Sequence, residues 1–372
     1  MLRVVEWSTG TVGRHAIAGI LARPELELVG VYVSNPAKDG VDVGELAELG
    51  GEIGLKATTD KQALIDLKPD CIVHTAMTDD RLFHAVEDLI SFLEAGINVV
   101  SSGPVVLLFH GDALGPDIPA RIEAAGERTG ASLHVTGIDP GWANAELPLS
   151  LTGLSQRIDL VHCWEIADYS TYYQPVVMQD IFGFGKPLDE PALMWQPGVL
   201  STAWGAVVRQ IAAGLDLTLD EPLVEAFEKA PAEFDVDSYS GPVPAGTLGA
   251  VRFSVTGTVD GTPRVILEHV TRTHVDQRPD WPQPIDGSGG CYRVEVKGEP
   301  QLSIEFRHEG EHGDHNVSGM ITTAMRVVNA VEAVVAAKPG LVTSLDLPFV
   351  TGRGLVTGRG LVTGRGLVTG QP

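Results

Sequence analysis

The stretch VVEWSTGTVGRH, residues 4–15, decides the fold. An apolar run ends at Trp7, Gly10 and Gly13 follow, and a helical pattern begins at once. Strand, glycine turn and helix in that order set backbone N–H groups and a helix N-terminus where they can meet a phosphate. Ser8, Gly10 and Gly13 occupy the three positions of a G-x-G-x-x-G pattern, with serine at the first. Gly10 would let the backbone approach a pyrophosphate, and Gly13 would let the helix sit close to the strand. Ser8, Thr9, Gly10, Thr11, Val12 and Gly13 are therefore read as cofactor-binding. A plain strand-to-helix turn is the alternative, and context weighs against it, because the motif opens a unit whose second strand ends about 20 residues later.

That second strand ends in VYVSNPAKDG, residues 31–40. Where a carboxylate ordinarily holds the adenosine ribose hydroxyls stand Ser34, Asn35 and Lys38. Nothing there repels a 2′-phosphate, and hydroxyl, amide and ammonium groups can donate to it. NADP(H) is the expected cofactor, with NAD(H) the lesser partner. Arg14, directly after Gly13, either reaches the same phosphate or caps the turn.

Strand-like and helix-like segments alternate through the first 140 residues, from LRVVEW and VGRHAIAGILA to SLHVTG. Such alternation implies an α/β fold in which crossover helices join parallel strands. The strands are apolar at nearly every position, as helices on both faces of a sheet require. After GIDPGWANAELP, residues 137–148, the pattern becomes α+β with a mixed sheet. Helical stretches are expected around residues 176–230, followed by strand pairs linked by the turn-like TVDGTP and VKGEP. An amphipathic helix, MITTAMRVVNAVEAVVAAKPG, stops at Pro339-Gly340.

The expected division is an N-terminal Rossmann domain over 1–142, a substrate domain over 143–316, and a helix and segment over 317–348 returning to the first domain. A repetitive tail fills 349–372, with VTGRGL starting at Val350, Val356 and Val362. Three short units cannot bury a core, so the tail reads as extended or disordered, clipped to the body by its first copy.

Bulk properties exclude several functions. The formal charge is −23, and Lys and Arg residues form no basic cluster, which argues against nucleic acid and anionic membranes as partners. Cys71, Cys163 and Cys291 are far apart and odd in number, which fits a reducing compartment. They show no zinc spacing, and no metal is expected. MLRVVEW enters a strand with no basic-then-apolar leader, and no apolar run approaches the roughly 18 residues of a membrane span. A cytoplasmic protein is expected.

With the opening motif, GIDPGWANAELPL (137–149) and TAMRVVNAVEAVVAAKPGLVTSLDLP (323–348) in view, the chain resembles the dihydrodipicolinate-reductase-like group. Within it the chain is most similar to the 2,4-diaminopentanoate dehydrogenase and native amine dehydrogenase branch, over nearly all its length to about residue 355. The resemblance implies a Rossmann domain followed by an α/β substrate domain, a homodimer, and hydride transfer between NAD(P)H and a C=N bond. In amine dehydrogenases that bond arises from a ketone or aldehyde plus ammonia. The branch commonly carries a glutamate just after the fourth strand, whereas this chain reads NVVSSGPVVLLFHG, with Val105 or a neighbour in its place.

Hydride transfer needs a group that polarises the acceptor and a source of protons. Open α/β sheets bind ligands at strand carboxyl ends. Thr75 and Ala76, then Ser101, Ser102 and Gly103, then Asp139, Pro140 and Gly141 end three strands, and their backbones are candidate walls for the nicotinamide and its ribose. His110, on the loop lacking the acid, is a candidate proton donor, with a surface histidine as its alternative. Trp142 and Asn144 stand where the first domain yields to the second, lining the cleft or packing a hinge. WEIADYSTYYQP, residues 164–175, supplies Glu165 as a replacement acid and Tyr169 and Tyr172 as donors or as a cage for an alkylammonium. HEGEHGDH, with His308, His312 and His315, reads as a solvated glycine-rich loop rather than a zinc site, or as a flap over the substrate.

The expected function is reductive amination of a small ketone or aldehyde with NADPH, or the reverse oxidation. A C=O or conjugated C=N reductase without ammonia and a silent NADP-binding protein are the alternatives.

Overall fold

The computed structural model describes residues 1–310 and 313–356. The first 135 residues run β1 (Leu2–Trp7), α1 (Thr11–Leu21), β2 (Leu26–Tyr32), α2 (Val43–Leu46), α3 (Lys61–Asp66), β3 (Cys71–His74), α4 (Leu82–Glu94), β4 (Asn98–Ser101), α5 (Asp117–Thr129) and β5 (Ser132–Val135). There follow α6 (Leu147–Thr152), β6 (Arg157–Asp168), α7 (Val199–Gly214), β7 (Val224–Pro231), β8 (Val236–Ser238), β9 (Gly241–Val243), β10 (Leu248–Val259), β11 (Thr262–Arg272), β12 (Gly290–Glu299), β13 (Leu302–Phe306), α8 (His315–Val335) and β14 (Gly340–Val342).

The first sheet is parallel, in the order β14-β5-β4-β3-β1-β2, and is Rossmann-like. β1 lies between β2 and β3, so the strand order reverses beside it. The carboxyl ends of β1 and β3 therefore flank the crevice in which such sheets bind ligands. α8 returns from the C-terminal half to pack on α1, burying Val327, Val328, Val331 and Val334 against Val4, Ile20, Cys71 and Val100. Each such side chain removed from water contributes roughly 1.5–3 kcal/mol. β14 then adds to β5 as the edge strand.

The second sheet is mixed, in the order β13-β12-β6-β11-β10-β7. Only β6 and β11 are parallel in it, and its other neighbours are antiparallel. TVDGTP closes the β10–β11 hairpin with Asp260 and Gly261 at positive φ, as a tight two-residue turn demands.

One sequence expectation changes here. The helical reading of 176–230 holds as α-helix only for α7, and VEAFEKAP, at 224–231, is the edge strand β7. Its mix of apolar and charged residues suits either period, and pairing with β10, which sets Phe227 opposite Phe253, resolves it. The first VTGRGL copy lies against the body. Val350 packs on the α1–α8 core, and Arg23 Nη1 donates to Arg353 O at 2.9 Å. Beyond Val356, the second and third copies lie outside the described residues. Among the described residues no helix is long and apolar enough to cross a membrane.

Candidate functional site

The glycine turn sits at the carboxyl end of β1. Ser8 holds a φ of +149°, a region where glycine is at ease, and its Oγ accepts from Gly10 N at 2.9 Å. α1 begins at Thr11, behind Gly10 at the N-cap, with no side-chain cap and no acid in its first turn, so its N-terminal amides and positive dipole end suit an anion. A Cβ on Gly13 would collide with Ser8 O and lie 2.9 Å from Thr75 Oγ1. That close approach is what brings the helix N-terminus to the strand end. Beneath it Thr75 Oγ1 donates to Glu6, whose carboxyl burial holds well above the usual carboxylate range.

Lys38 Nζ donates to Thr9 Oγ1 at 3.1 Å, so its ammonium closes one side of the turn. Ser34 and Asn35 are exposed beside it, Asn35 capping the short turn at Pro36. The neighbouring Asp39 is turned away and accepts from Thr59 N at 2.8 Å. Arg14 neither caps the turn nor points to these groups, and pairs instead with Glu48. Among the wall candidates, Ser101 Oγ bonds His74 Nδ1 at 2.9 Å, and a side chain at Gly103 would meet Thr78 Oγ1 at 2.6 Å. Thr11 and Val12 open the first turn of α1, Ala76 and Ser102 follow β3 and β4, and Pro140 and Gly141 lie in the kinked segment after β5.

A second constellation lies on the mixed sheet. Register sets Phe306 opposite Tyr292, Tyr292 opposite Glu165, Glu165 beside His269, His269 opposite Phe253 and Phe253 opposite Phe227. One row thus crosses all six strands, with an acid and an imidazole at its centre and aromatic rings on both flanks. His269 Nδ1 is 2.9 Å from Glu165 Oε2, which also accepts from Tyr169 Oη at 2.8 Å. On its other side His269 Nε2 faces Asp139 Oδ1 at 3.4 Å, and the Asp139 side chain is only 2% exposed.

The electrostatics follow from this sandwich. Burial pulls His269 down, but the charges of Asp139 and Glu165 outweigh it and hold the imidazole up at about 10. Burial pushes Glu165 up, and the bonds from His269 and Tyr169 overcome that, leaving it below its ordinary value. Asp139 is raised, because burial exceeds the attraction of His269. The imidazole is held as a cation between two acids. It meets Glu165 through Nδ1 at hydrogen-bond distance and turns Nε2 toward Asp139 at 3.4 Å, a contact too long for a well-formed hydrogen bond.

Above this row is a cavity lined by Asp139, Glu165, Tyr169, Tyr172, Tyr292 and His315, with His308, Asn316, Met320 and Thr323 closing it. Tyr169 and Tyr172 stack with centroids 4.7 Å apart. Burial holds the hydroxyls of Tyr169, Tyr172 and Tyr292 protonated, so they can donate.

The structure brings Glu165, Tyr169 and Tyr172 together and separates the other chemical candidates from them. His110 is exposed, at a φ of +52°, its ring against Phe109 and outside the cavity, because the chain turns outward after the buried residues Val106–Phe109. Trp142 packs edge-on to Phe306 at 5.2 Å, as hinge packing. Asn144 is buried, accepting from Gly141 N at 2.9 Å, and does not line the cavity. Asp139, read from sequence as a backbone wall, sends its carboxylate to His269. The loop HEGEHGDH is corrected as well. His308 and His315 line the cavity rather than lying in solvent, because α8 starts at His315 and turns the segment inward, while His312 lies outside the described residues. His269 and Tyr292 were missed altogether, as each stands in an ordinary-looking strand and is selected only by register.

Comparison with known proteins agrees with this architecture. The 2,4-diaminopentanoate dehydrogenase C-terminal domain family matches residues 145–356. An amine dehydrogenase of Streptomyces virginiae is 40% identical over 349 residues, covering 94% of this chain and 96% of the relative. A 2,4-diaminopentanoate dehydrogenase of Acetoanaerobium sticklandii is 24% identical over 93% of each chain. The solved amine dehydrogenase of Mycobacterium smegmatis shares the fold with a TM-score of 0.77 at 22% identity, covering 95% of this chain and 97% of that one.

Proposed function

Because the chain belongs to the 2,4-diaminopentanoate and amine dehydrogenase family and is an oxidoreductase of the amine dehydrogenase type, we propose that it interconverts a small primary amine with a carbonyl compound plus ammonia. The reaction takes place at the Glu165 cavity, with NADP(H) as redox partner. The observation that carries this reading is the buried Glu165, paired with His269 behind it and lining a cavity walled by three tyrosines.

The residues divide the work. The turn Ser8–Gly13 and the N-terminus of α1 hold the diphosphate, and Lys38, Ser34 and Asn35 receive the 2′-phosphate. The nicotinamide, when bound, supplies or accepts the hydride. Glu165 holds the nitrogen of the ammonium or iminium. A carboxylate has about four lone-pair sites, so two protein donors leave capacity for a ligand. His269, cationic, keeps Glu165 ionised and oriented. Tyr169, Tyr172 and Tyr292 offer ring faces to a cation and hydroxyls to an oxygen. Glu165 thereby takes the place of the acid absent beside Val105.

A second reading has its own observation. The loop after β4 holds Val105–Leu108 in a largely buried apolar turn with no acid, which suits a C=O or conjugated C=N reductase that uses no ammonia. Oxidation of NADPH with a panel of small ketones and aldehydes, with and without ammonium, separates the two. Ammonium-dependent turnover supports the amine reading, and ammonium-independent turnover overturns it. Binding without turnover on any substrate overturns both.

A further inference from the structure

Two histidines, His308 and His315, line the cavity, and a third, His269, lies beside its Glu165 wall, each with different surroundings. His269 lies between two carboxylates, and His308 faces Thr322 Oγ1 with Nδ1 at 3.3 Å and is held neutral by burial, down at about 4. His315 makes no side-chain hydrogen bond among the described residues, and its Nε2 is buried without a partner. Buried polar atoms rarely stay unpaired, so a polar atom of the cavity contents is the natural partner.

The ring is nonetheless fixed. A Cβ at Gly289 would lie 2.8 Å from His315 Nδ1, and one at Gly290 would lie 2.5 Å from Cδ2. The two glycines at the start of β12 are therefore the notch that admits the imidazole. Its backbone is anchored too. Asp314 accepts from Asn316 N at 2.8 Å, and Asn316 Nδ2 donates to Asp168 O at 3.0 Å and Thr171 Oγ1 at 2.8 Å.

We propose that His315 is the acid–base residue of the water step, a role that rests on reading the cavity as an amine site. In amine oxidation, water adds to the C=N bond of the iminium. As its oxygen bonds to carbon, the C=N π pair withdraws to nitrogen and one water proton passes to His315 Nε2. His315 then returns that proton to the nitrogen. The C–N bond breaks with its electron pair leaving on ammonia, the carbonyl forms, and His315 takes the hydroxyl proton. Reductive amination runs the same transfers backwards. Glu165, engaged by His269 and Tyr169, holds the nitrogen while His315 serves the oxygen.

The test is rapid-mixing oxidation of an amine by the NADP⁺-loaded enzyme, comparing wild type with His315→Gln and Gly290→Ala, the second of which displaces the ring without altering it. The expected result is a first-turnover reduction of the dinucleotide at the wild-type rate, followed by steady-state turnover slower by about a hundredfold or more. Thermal melts of both variants check that the fold is kept. A first turnover slowed as much as the steady state, or a steady state within about twofold of wild type in both variants, overturns the assignment to His315 and leaves the amine reading standing. A wild type that oxidises no amine overturns the amine reading, and the role of His315 with it.

Discussion

Glu165 and His269 are direct register partners on the parallel strands β6 and β11, with Oε2 and Nδ1 2.9 Å apart. The pair lies inside the protein, so its charges are stabilised by each other rather than by water. Removing one partner leaves a buried charge uncompensated, which costs about 3–5 kcal/mol.

The pH dependence of stability follows from His269. Its folded pKa, about 10, exceeds its unfolded value of about 6.5, so the stabilisation is complete below the unfolded value and is lost as pH rises through about 10. Thermal melts from neutral to alkaline pH should show wild type losing stability relative to His269→Gln. Parallel curves for the two proteins would contradict the cationic assignment.

Glu165→Gln keeps the shape of the side chain and removes its charge. In the amine reading kcat falls by about a hundredfold or more, while dinucleotide binding measured by calorimetry stays unchanged. Unchanged ammonium-dependent kcat would remove Glu165 from the site.

Gly13→Ala places a methyl group against Ser8 O and Thr75 Oγ1, neither of which is the end of a flexible chain. Overpacking of this kind costs about 1–3 kcal/mol. Dinucleotide affinity is expected to fall with stability, by titration and by melting. A variant that binds like wild type would show that this turn is not the diphosphate site.

Lys38→Glu reverses the charge that closes the side of the turn at Thr9. A charge-assisted hydrogen bond is worth about 1.5–3 kcal/mol, so NADPH affinity should drop by at least about tenfold while NADH affinity is kept. Equal losses for both cofactors would contradict the 2′-phosphate assignment.

The parallel sheet, the glycine turn and the hairpins were legible because each is encoded locally. VVEWSTGTVGRH carries an apolar strand, glycines and a helix start within a dozen neighbouring positions, and TVDGTP carries its own turn. Glu165, Tyr169 and Tyr172 were also within reach, since one stretch holds all three. VEAFEKAP was misread because its pattern fits two periods and only a neighbouring strand chooses between them.

From the sequence alone came the nucleotide-type fold and the residue types able to bind a phosphate, since backbone conformation near a glycine depends on its immediate neighbours. Tertiary structure alone decided the reacting centre. Asp139, Glu165, His269, Tyr292 and His315 come from five separate segments, and their charges and proton partners exist only once strand register and the return of α8 bring them into one buried volume. Desolvation and Coulomb attraction act through space, so the protonation of His269 was not written in any stretch of neighbouring residues.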